Sequence, residues 1–269
     1  MKIERTNLVY FSPTRTTKRI LEEIAEGIGC DAVEHYDLTL PDADNKPPVT
    51  IGRELSIFGV PVYGGRVPET AIERIRRFKG QNTPAIVVAV YGNREFEDAL
   101  LELKNAVTEA GFKSVAAGAF IGEHSFSDKQ TPIAEGRPDT ADNKKAQSFG
   151  EEIRKKIESI DDFENIDGVS VPGNHPYKER KKRRSVSPET KVDPCTTCGN
   201  CASVCPTGAI TVTDRVDTDA GSCIICCACV KKCPTGARVL DNPDMRKVAL
   251  WLHTDYGKRK EPEIFGLTT

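Results

Sequence analysis

The sequence predicts an α/β protein: a five-stranded parallel sheet with helices on both faces, followed by a small α+β unit dominated by cysteine. Three observations carry that prediction. Near-continuous apolar runs alternate with amphipathic stretches through about the first 160 residues, as in strands buried on both faces by crossover helices. Cysteine is sparse before position 195 and dense after it. Eight of the ten cysteines fall into two copies of one spacing, C-x2-C-x2-C-x3-C-P.

The elements follow in chain order. Leu8 to Phe11 is a short β-prone run, and Ile20, Leu21, Ile24, Ala25 and Ile28 recur at helical spacing after it. Ala32 to Leu38 reads as a second strand and Leu55 to Val62 as a buried third. Pro68 opens a helix expected to carry Ala71, Ile72, Ile75 and Phe78 on one face. Ala85 to Val90 is the fourth strand, and a helix through Ala99, Leu100, Leu101, Leu103, Ala106 and Val107 follows it. Ser114 to Ile121 is the fifth strand, and a long helix starts at Asp139 or Thr140 and runs to about Ser159. Connections in such a sheet are right-handed.

Between the first strand and its helix lies Ser12-Pro13-Thr14-Arg15-Thr16-Thr17. One hydroxyl is enough to cap a helix. Four in six residues, Ser12, Thr14, Thr16 and Thr17, point instead to an anion site at the helix N-terminus. Ligands of parallel sheets sit beyond the carboxyl ends of the strands. There the chain carries Tyr63-Gly64-Gly65-Arg66, Tyr91-Gly92-Asn93-Arg94 and Gly122-Glu123-His124-Ser125-Phe126. Aromatic and glycine residues beside an anion site suit a flat aromatic ligand with a phosphate. Taken singly, each loop reads as an ordinary turn.

The first cysteine run is Cys195, Cys198, Cys201 and Cys205; the second is Cys223, Cys226, Cys229 and Cys233. An offset of 28 superimposes them and carries Pro206-Thr207-Gly208-Ala209 onto Pro234-Thr235-Gly236-Ala237. A whole unit of strand, cysteine loop, helical turn and strand is thus duplicated. Thiolates at this spacing hold iron–sulfur cubanes, the fourth cysteine of each run reaching the other cluster. One cluster is therefore assigned to Cys195, Cys198, Cys201 and Cys233, the other to Cys223, Cys226, Cys229 and Cys205. Zinc sites favour longer gaps between ligand pairs, and disulfides need an oxidising compartment. Cys227 reads as a packed thiol and Cys30 as an ordinary half-buried residue.

The formal net charge of −2 over 269 residues gives no global pull toward nucleic acid or membrane. No apolar stretch is long enough to span a bilayer, and no export signal precedes the first strand. Reduced, iron-binding thiolates then predict a cytoplasmic protein. The expected organisation is 1–160, a linker over 161–190, a cluster unit over 191–241, and a helix and tail over 242–269.

Residues 6–160 resemble a flavodoxin domain and 190–241 a bacterial two-cluster ferredoxin. The strings YFSPTRTTKRI, FGVPVYGGRVP, VVAVYGNREFEDALLEL and FIGEHSFS are similar to loops of the ferredoxin–flavodoxin fusion proteins called EFR1-family ferredoxins. The resemblance implies FMN beside two [4Fe-4S] clusters. It places the phosphate on Ser12, Thr14, Arg15, Thr16 and Thr17. The isoalloxazine would lie against Val62, Tyr63, Gly64, Gly65 and Arg66, and against Tyr91, Gly92, Asn93 and Arg94. Flavodoxin phosphate loops usually carry glycine where this chain has Arg15. An arginine there either takes a strained positive φ or pairs directly with the phosphate.

The leading functional expectation is electron transfer between one-electron and two-electron redox partners. These are donor and acceptor proteins that the sequence does not name. Reduction of a small-molecule acceptor is the alternative, with Arg66, Asn93, Arg94, Glu123 and His124 on the substrate side. His124 would serve there as a proton donor near neutral pH, although an exposed loop histidine is the commoner case. A redox-sensing regulator would use the basic run Lys178 to Arg184 on nucleic acid. No reader motif accompanies that run, so a solvated linker is expected. Met245, Val248, Ala249, Trp251 and Leu252 predict one last helix, with Trp251 as a core anchor. The closing residues carry no physical signal of a role.

Overall fold

The computed structural model describes residues 3–30, 32–160, 168–180 and 185–267. Most of the basic run, 181–184, and the start of the linker, 161–167, lie outside the described residues.

The larger unit contains β1 (Arg5–Tyr10), α1 (Thr16–Ile28), β2 (Ala32–Asp37), β3 (Val49–Ile51), β4 (Leu55–Pro61), α2 (Glu69–Ile75), β5 (Phe78–Gly80), β6 (Thr83–Tyr91), α3 (Ala99–Glu109), β7 (Phe112–Ile121) and α4 (Thr140–Glu158). The long strands pair in the parallel order β2-β1-β4-β6-β7. That is the 2-1-3-4-5 order of the flavodoxin-like doubly wound fold. Successive side chains of a strand go to opposite faces, and two apolar layers result. Val9, Phe58, Val87 and Ala117 face one side with Leu100 and Leu103 of α3. Leu8, Ile57, Ile86 and Phe120 face the other with Ile24 of α1 and Ile153 of α4. Helices α1 and α4 touch backbone to backbone. A Cβ on Gly27 would lie 1.9 Å from the Gln147 carbonyl oxygen, and one on Gly150 2.2 Å from that of Ile24. Asp139 caps α4 by accepting from the Ala141 and Asp142 amides.

Helix α2 is shorter than the apolar spacing predicts. Phe78 is not on its face; it begins β5, which pairs in parallel with β3. Phe78 is buried all the same, edge-on against Phe58 and Tyr36 at 6.2 and 5.4 Å.

The smaller unit comprises β8 (Glu189–Thr190), α5 (Asn200–Ser203), β9 (Ile210–Val212), β10 (Val216–Thr218), α6 (Ala228–Lys231) and β11 (Arg238–Val239). Strands β9 and β10 form a hairpin, while β8 and β11 pair across the two halves. The duplication reaches the backbone. Thr197 and Ile225 have φ of 48° and 53°, and Gly199 and Cys227 have 78° and 56°.

After α7 (Pro243–Asp255) the chain returns to the larger unit. There β12 (Glu263–Phe265) adds a sixth strand, antiparallel to β7. Met245, Ala249 and Leu252 form the inward face of α7. Trp251 does not join them, contrary to the core-anchor expectation. It is 44% exposed and rests edge-on against Tyr256, because it stands about 100° from Leu252 on the helix. Among the described residues no helix is long and apolar enough to cross a membrane.

Arg74 joins the two units. Its fully buried guanidinium donates to both Asp44 carboxylate oxygens, to the Leu38 and Thr39 carbonyls, and to the Pro206 carbonyl in the smaller unit. Replacing it strands three carbonyls. Arg74→Met is expected to lower stability by about 3 kcal/mol, read from urea unfolding.

Candidate functional site

The turn from β1 into α1 is braced from below. The Ser12 amide donates to Thr39 Oγ1 at 2.9 Å, the Arg15 amide to the Ser12 carbonyl at 3.0 Å, and the Lys18 amide to Ser12 Oγ at 3.0 Å. Thr14 and Thr16 hydroxyls stand 3.2 Å apart. The first amides of a helix lack intrahelical acceptors and attract anions. Arg15 sits at the N-cap of α1 with φ 65° and ψ 3°, and its side chain is exposed. The left-handed conformation that favours glycine is thus required here, and an arginine supplies it.

Above this loop lies a cleft of about 250 Å³. Ser12, Thr14, Thr16 and Thr17 line it, with Val62, Tyr63 and Gly64 on one side and Tyr91 and Gly92 on another. The loop Gly122 to Phe126 closes a third side, and Ile224 and Ile225 of the smaller unit complete it. Gly92 lets His124 approach: a Cβ there would lie 2.3 Å from the imidazole Cδ2. The cleft continues into a groove of about 670 Å³, bordered by Tyr63, Phe126, Ile225 and Trp251.

Five residues expected at the ligand do not line the cleft. Arg15 faces solvent. Gly65 backs onto Glu97, where a Cβ would lie 1.8 Å from Oε2. Arg66 is engaged twice at 2.8 Å by Glu102 and stacks 4.7 Å above Tyr177 of the linker. Asn93 donates to the Tyr256 and Lys258 carbonyls and accepts from the Lys260 amide. Arg94 pairs with Glu97 at 2.7 Å. Arg66 and Arg94 border the adjoining groove instead. The tail turns Asn93 aside, Glu102 and the linker hold Arg66, and the local Glu97 holds Arg94.

His124 is neither the exposed loop histidine that the sequence favours nor the cationic proton donor of the alternative reading. Burial, with Lys231 and Arg94 nearby, pushes its pKa down to about 4. The Phe126 amide donates to Nδ1 at 3.0 Å, so the neutral ring carries its proton on Nε2. Tyr91 is a core residue, buried against Phe96, that also lines the cleft. The Tyr63 phenol is held neutral, its pKa pushed well up by enclosure and by Cys226, Cys227 and Cys223 close by.

The cysteines surround two small cavities. One is bordered by Cys195, Cys198, Cys201 and Cys233, the other by Cys205, Cys223, Cys226 and Cys229. Cys198 of the first set is exposed, whereas Cys205, Cys226 and Cys229 of the second are buried. These are called the outer and inner sets below. All ten cysteines are free of disulfides. Among the described residues no three His, Cys, Asp or Glu side chains converge on the position of a single ion. A cubane, in contrast, spreads its thiolates over separate irons. Cys227 borders the inner cavity and is buried. Cys30 is half-buried and contacts Thr6 Oγ1 at 3.0 Å. Ile224 borders both the inner cavity and the cleft. Sequence reasoning missed Ile224 and Ile225 because nothing local to a cysteine loop says what it packs against.

The 4Fe-4S binding domain family matches residues 190–211. No curated protein matches the chain. Among solved structures, a flavodoxin from the domain Archaea is 16% identical with a TM-score of 0.38, over 57% of this chain and 99% of its own. A Fusobacterium nucleatum flavodoxin bound to flavin mononucleotide has the same identity, coverage and TM-score. The rubredoxin oxygen:oxidoreductase of Desulfovibrio gigas is 14% identical with a TM-score of 0.42, over 58% of this chain and 36% of that longer one. Strand order and the matched domain define the class: a flavodoxin-like unit fused to a 4Fe-4S ferredoxin-like unit. Such a chain is an iron–sulfur electron-transfer protein.

Two predictions follow from this geometry. Arg15→Gly removes a left-handed arginine whose side chain contacts nothing in the cleft; a gain of roughly 0.5–1 kcal/mol is expected from thermal or urea unfolding. His124 has a folded pKa below its ordinary 6.5, so the unfolded chain binds the proton first as pH falls. Its contribution is complete above about pH 6.5 and is lost toward pH 4, amounting to roughly 2–3 kcal/mol. His124→Gln should flatten that part of the stability–pH curve.

Proposed function

We propose that this protein couples FMN to two [4Fe-4S] clusters and links a one-electron redox partner to a two-electron one. Ile224 carries the reading: one side chain borders both the cleft and the inner cysteine cavity. The donor set fits both groups. Four hydroxyls ring a helix N-terminus, which suits a phosphate. Four cysteines border each cavity, which suits a cubane.

Bound flavin supplies two-electron chemistry with release of single electrons, and the clusters supply single-electron steps. The chain's own residues set the order. Cys198, exposed at the outer set, is the point of contact for a donor protein. Cys205, Cys223, Cys226 and Cys229 would hold the inner cluster, with Ile224 between its cavity and the cleft. Ser12, Thr14, Thr16 and Thr17 bind the phosphate. Val62, Tyr63, Gly64 and Gly92 line the part of the cleft that would take the ring, and His124, also at the cleft, keeps a neutral N–H at Nε2. Arg15, Gly65, Arg66, Asn93 and Arg94 act on the loops rather than on the flavin. The groove of about 670 Å³ beside the cleft favours a second reading, reduction of a small molecule reached through that groove.

Anaerobically purified protein should hold about eight irons, eight sulfides and one FMN per chain. After flash reduction, flavin reduction from the clusters should show a first-order phase independent of protein concentration. Cys205→Ser should abolish that phase and leave about four irons. A rate proportional to protein concentration, or an unchanged phase in that variant, sinks the proposal.

A further inference from the structure

At one buried position of the smaller unit the two halves differ in charge. The offset of 28 that superimposes the cysteines maps Arg238 onto Ile210. Both residues open the short strand that follows the C-P-T-G-A turn. Ile210 belongs to the apolar core of the first half. Arg238 is just as enclosed, 3% exposed. A guanidinium is always charged, and a buried charge is costly without an opposite one.

Its hydrogen-bond partners do not neutralise it. Nη1 donates to Thr190 Oγ1 at 2.7 Å, and Nη2 to Thr218 Oγ1 at 3.0 Å. Nη2 also points at Cys229 Sγ, 3.7 Å away. None of these is a carboxylate, and the buried Nε has no partner. Arg238 borders the inner and the outer cysteine cavities alike.

We propose that Arg238 is the shared counter-cation of the two iron–sulfur clusters and holds up the reduction potential of the inner one. The proposal rests on the two-cluster reading above. A cubane with four thiolates is net anionic and gains a further negative charge on reduction. A fixed cation and an N–H aimed at sulfur therefore favour the reduced form. The inner set has the direct donor to Cys229 and the lower exposure, so it gains more. Deep burial alone would depress its potential and stall the electron at the solvent side. Arg238 would offset that cost, so that an electron delivered by a donor protein at the outer set could pass on to the inner set, which Ile224 borders, with no proton moved.

The test is a potentiometric EPR titration with iron and sulfide counts, on R238M, R238Q and R238K in the otherwise intact protein. The charge-removing variants are expected to hold about eight irons and to shift the inner midpoint down. The reduced-to-oxidised ratio at the wild-type midpoint should fall on the order of tenfold. R238K should lie between them and the wild type. Backgrounds carrying C205S or C233S leave one cluster each and identify which midpoint moved. Full iron with unchanged midpoints in R238M and R238Q overturns the proposal. If those two lose iron while R238K retains it, the cation is required for assembly, which supports the proposal. Loss of iron in all three assigns Arg238 to packing and overturns it. About four irons in the wild type would instead overturn the two-cluster reading itself.

Discussion

A single buried guanidinium ties the anion loop to the cysteine unit. Arg74 donates five hydrogen bonds to acceptors in three separate stretches of chain. One is the Thr39 carbonyl, and the hydroxyl of that residue receives the Ser12 amide at the base of the anion loop. Another is the carbonyl of Pro206, next to Cys205 of the inner set. Carbonyls at a domain junction are orphaned unless something donates to them. Arg74 does so for both units at once, and Asp44 balances its charge. The contact of Ile224 with the cleft depends on this docking. A second tie, Lys231 to the Ser127 carbonyl at 2.7 Å and to Glu123, fixes the loop carrying His124 from the other side.

The C-terminal tail acts in the same way on the opposite edge. Asp142 is fully buried, and Arg137 and Arg259 both pair with it. Arg137 also donates to the Lys260 carbonyl at 2.7 Å, and Asn93 holds three backbone groups of the tail. The tail thus clamps the loops after β6 and β7, then ends as a strand that covers the exposed edge of β7. An open parallel-sheet edge invites unwanted pairing, and β12 covers it along Ala117 to Ala119. The linker does comparable work over α3. Asp98 accepts from the Asn174 and Lys178 amides, and Tyr177 lies under Arg66.

Strain and charge concentrate in the second half of the duplicated unit. Where the first half has Gly199 and Ile210, the second has Cys227 and Arg238. Cys227 takes the left-handed conformation of the glycine it replaces, at a cost of about 1 kcal/mol. Both exchanges lie at the inner cavity, which faces the cleft. At these two positions the half nearer solvent keeps a glycine and an apolar side chain.

The sequence by itself determined the two units. Five strands, four of them buried, the long helices, the duplicated cysteine spacing and the hydroxyl-rich turn are local patterns, legible from period and composition. The glycine-like conformation at Arg15 was signalled only by the resemblance to flavodoxin phosphate loops, which usually carry glycine there. Tertiary structure decided where side chains point once distant segments pack on them. Asn93, Arg94 and Arg66 read as ligand contacts until the tail, Glu97, and the linker with Glu102 claim them. Phe78 read as helical until β3 offered a strand partner. Ile224, Arg74 and Arg238 carried no signal of their own, since their roles are set by groups over a hundred residues away or across a pseudo-dyad. Periodicity records which face of an element is buried. It does not record what buries it, and at the junction between the units that partner decides which residues meet the cleft.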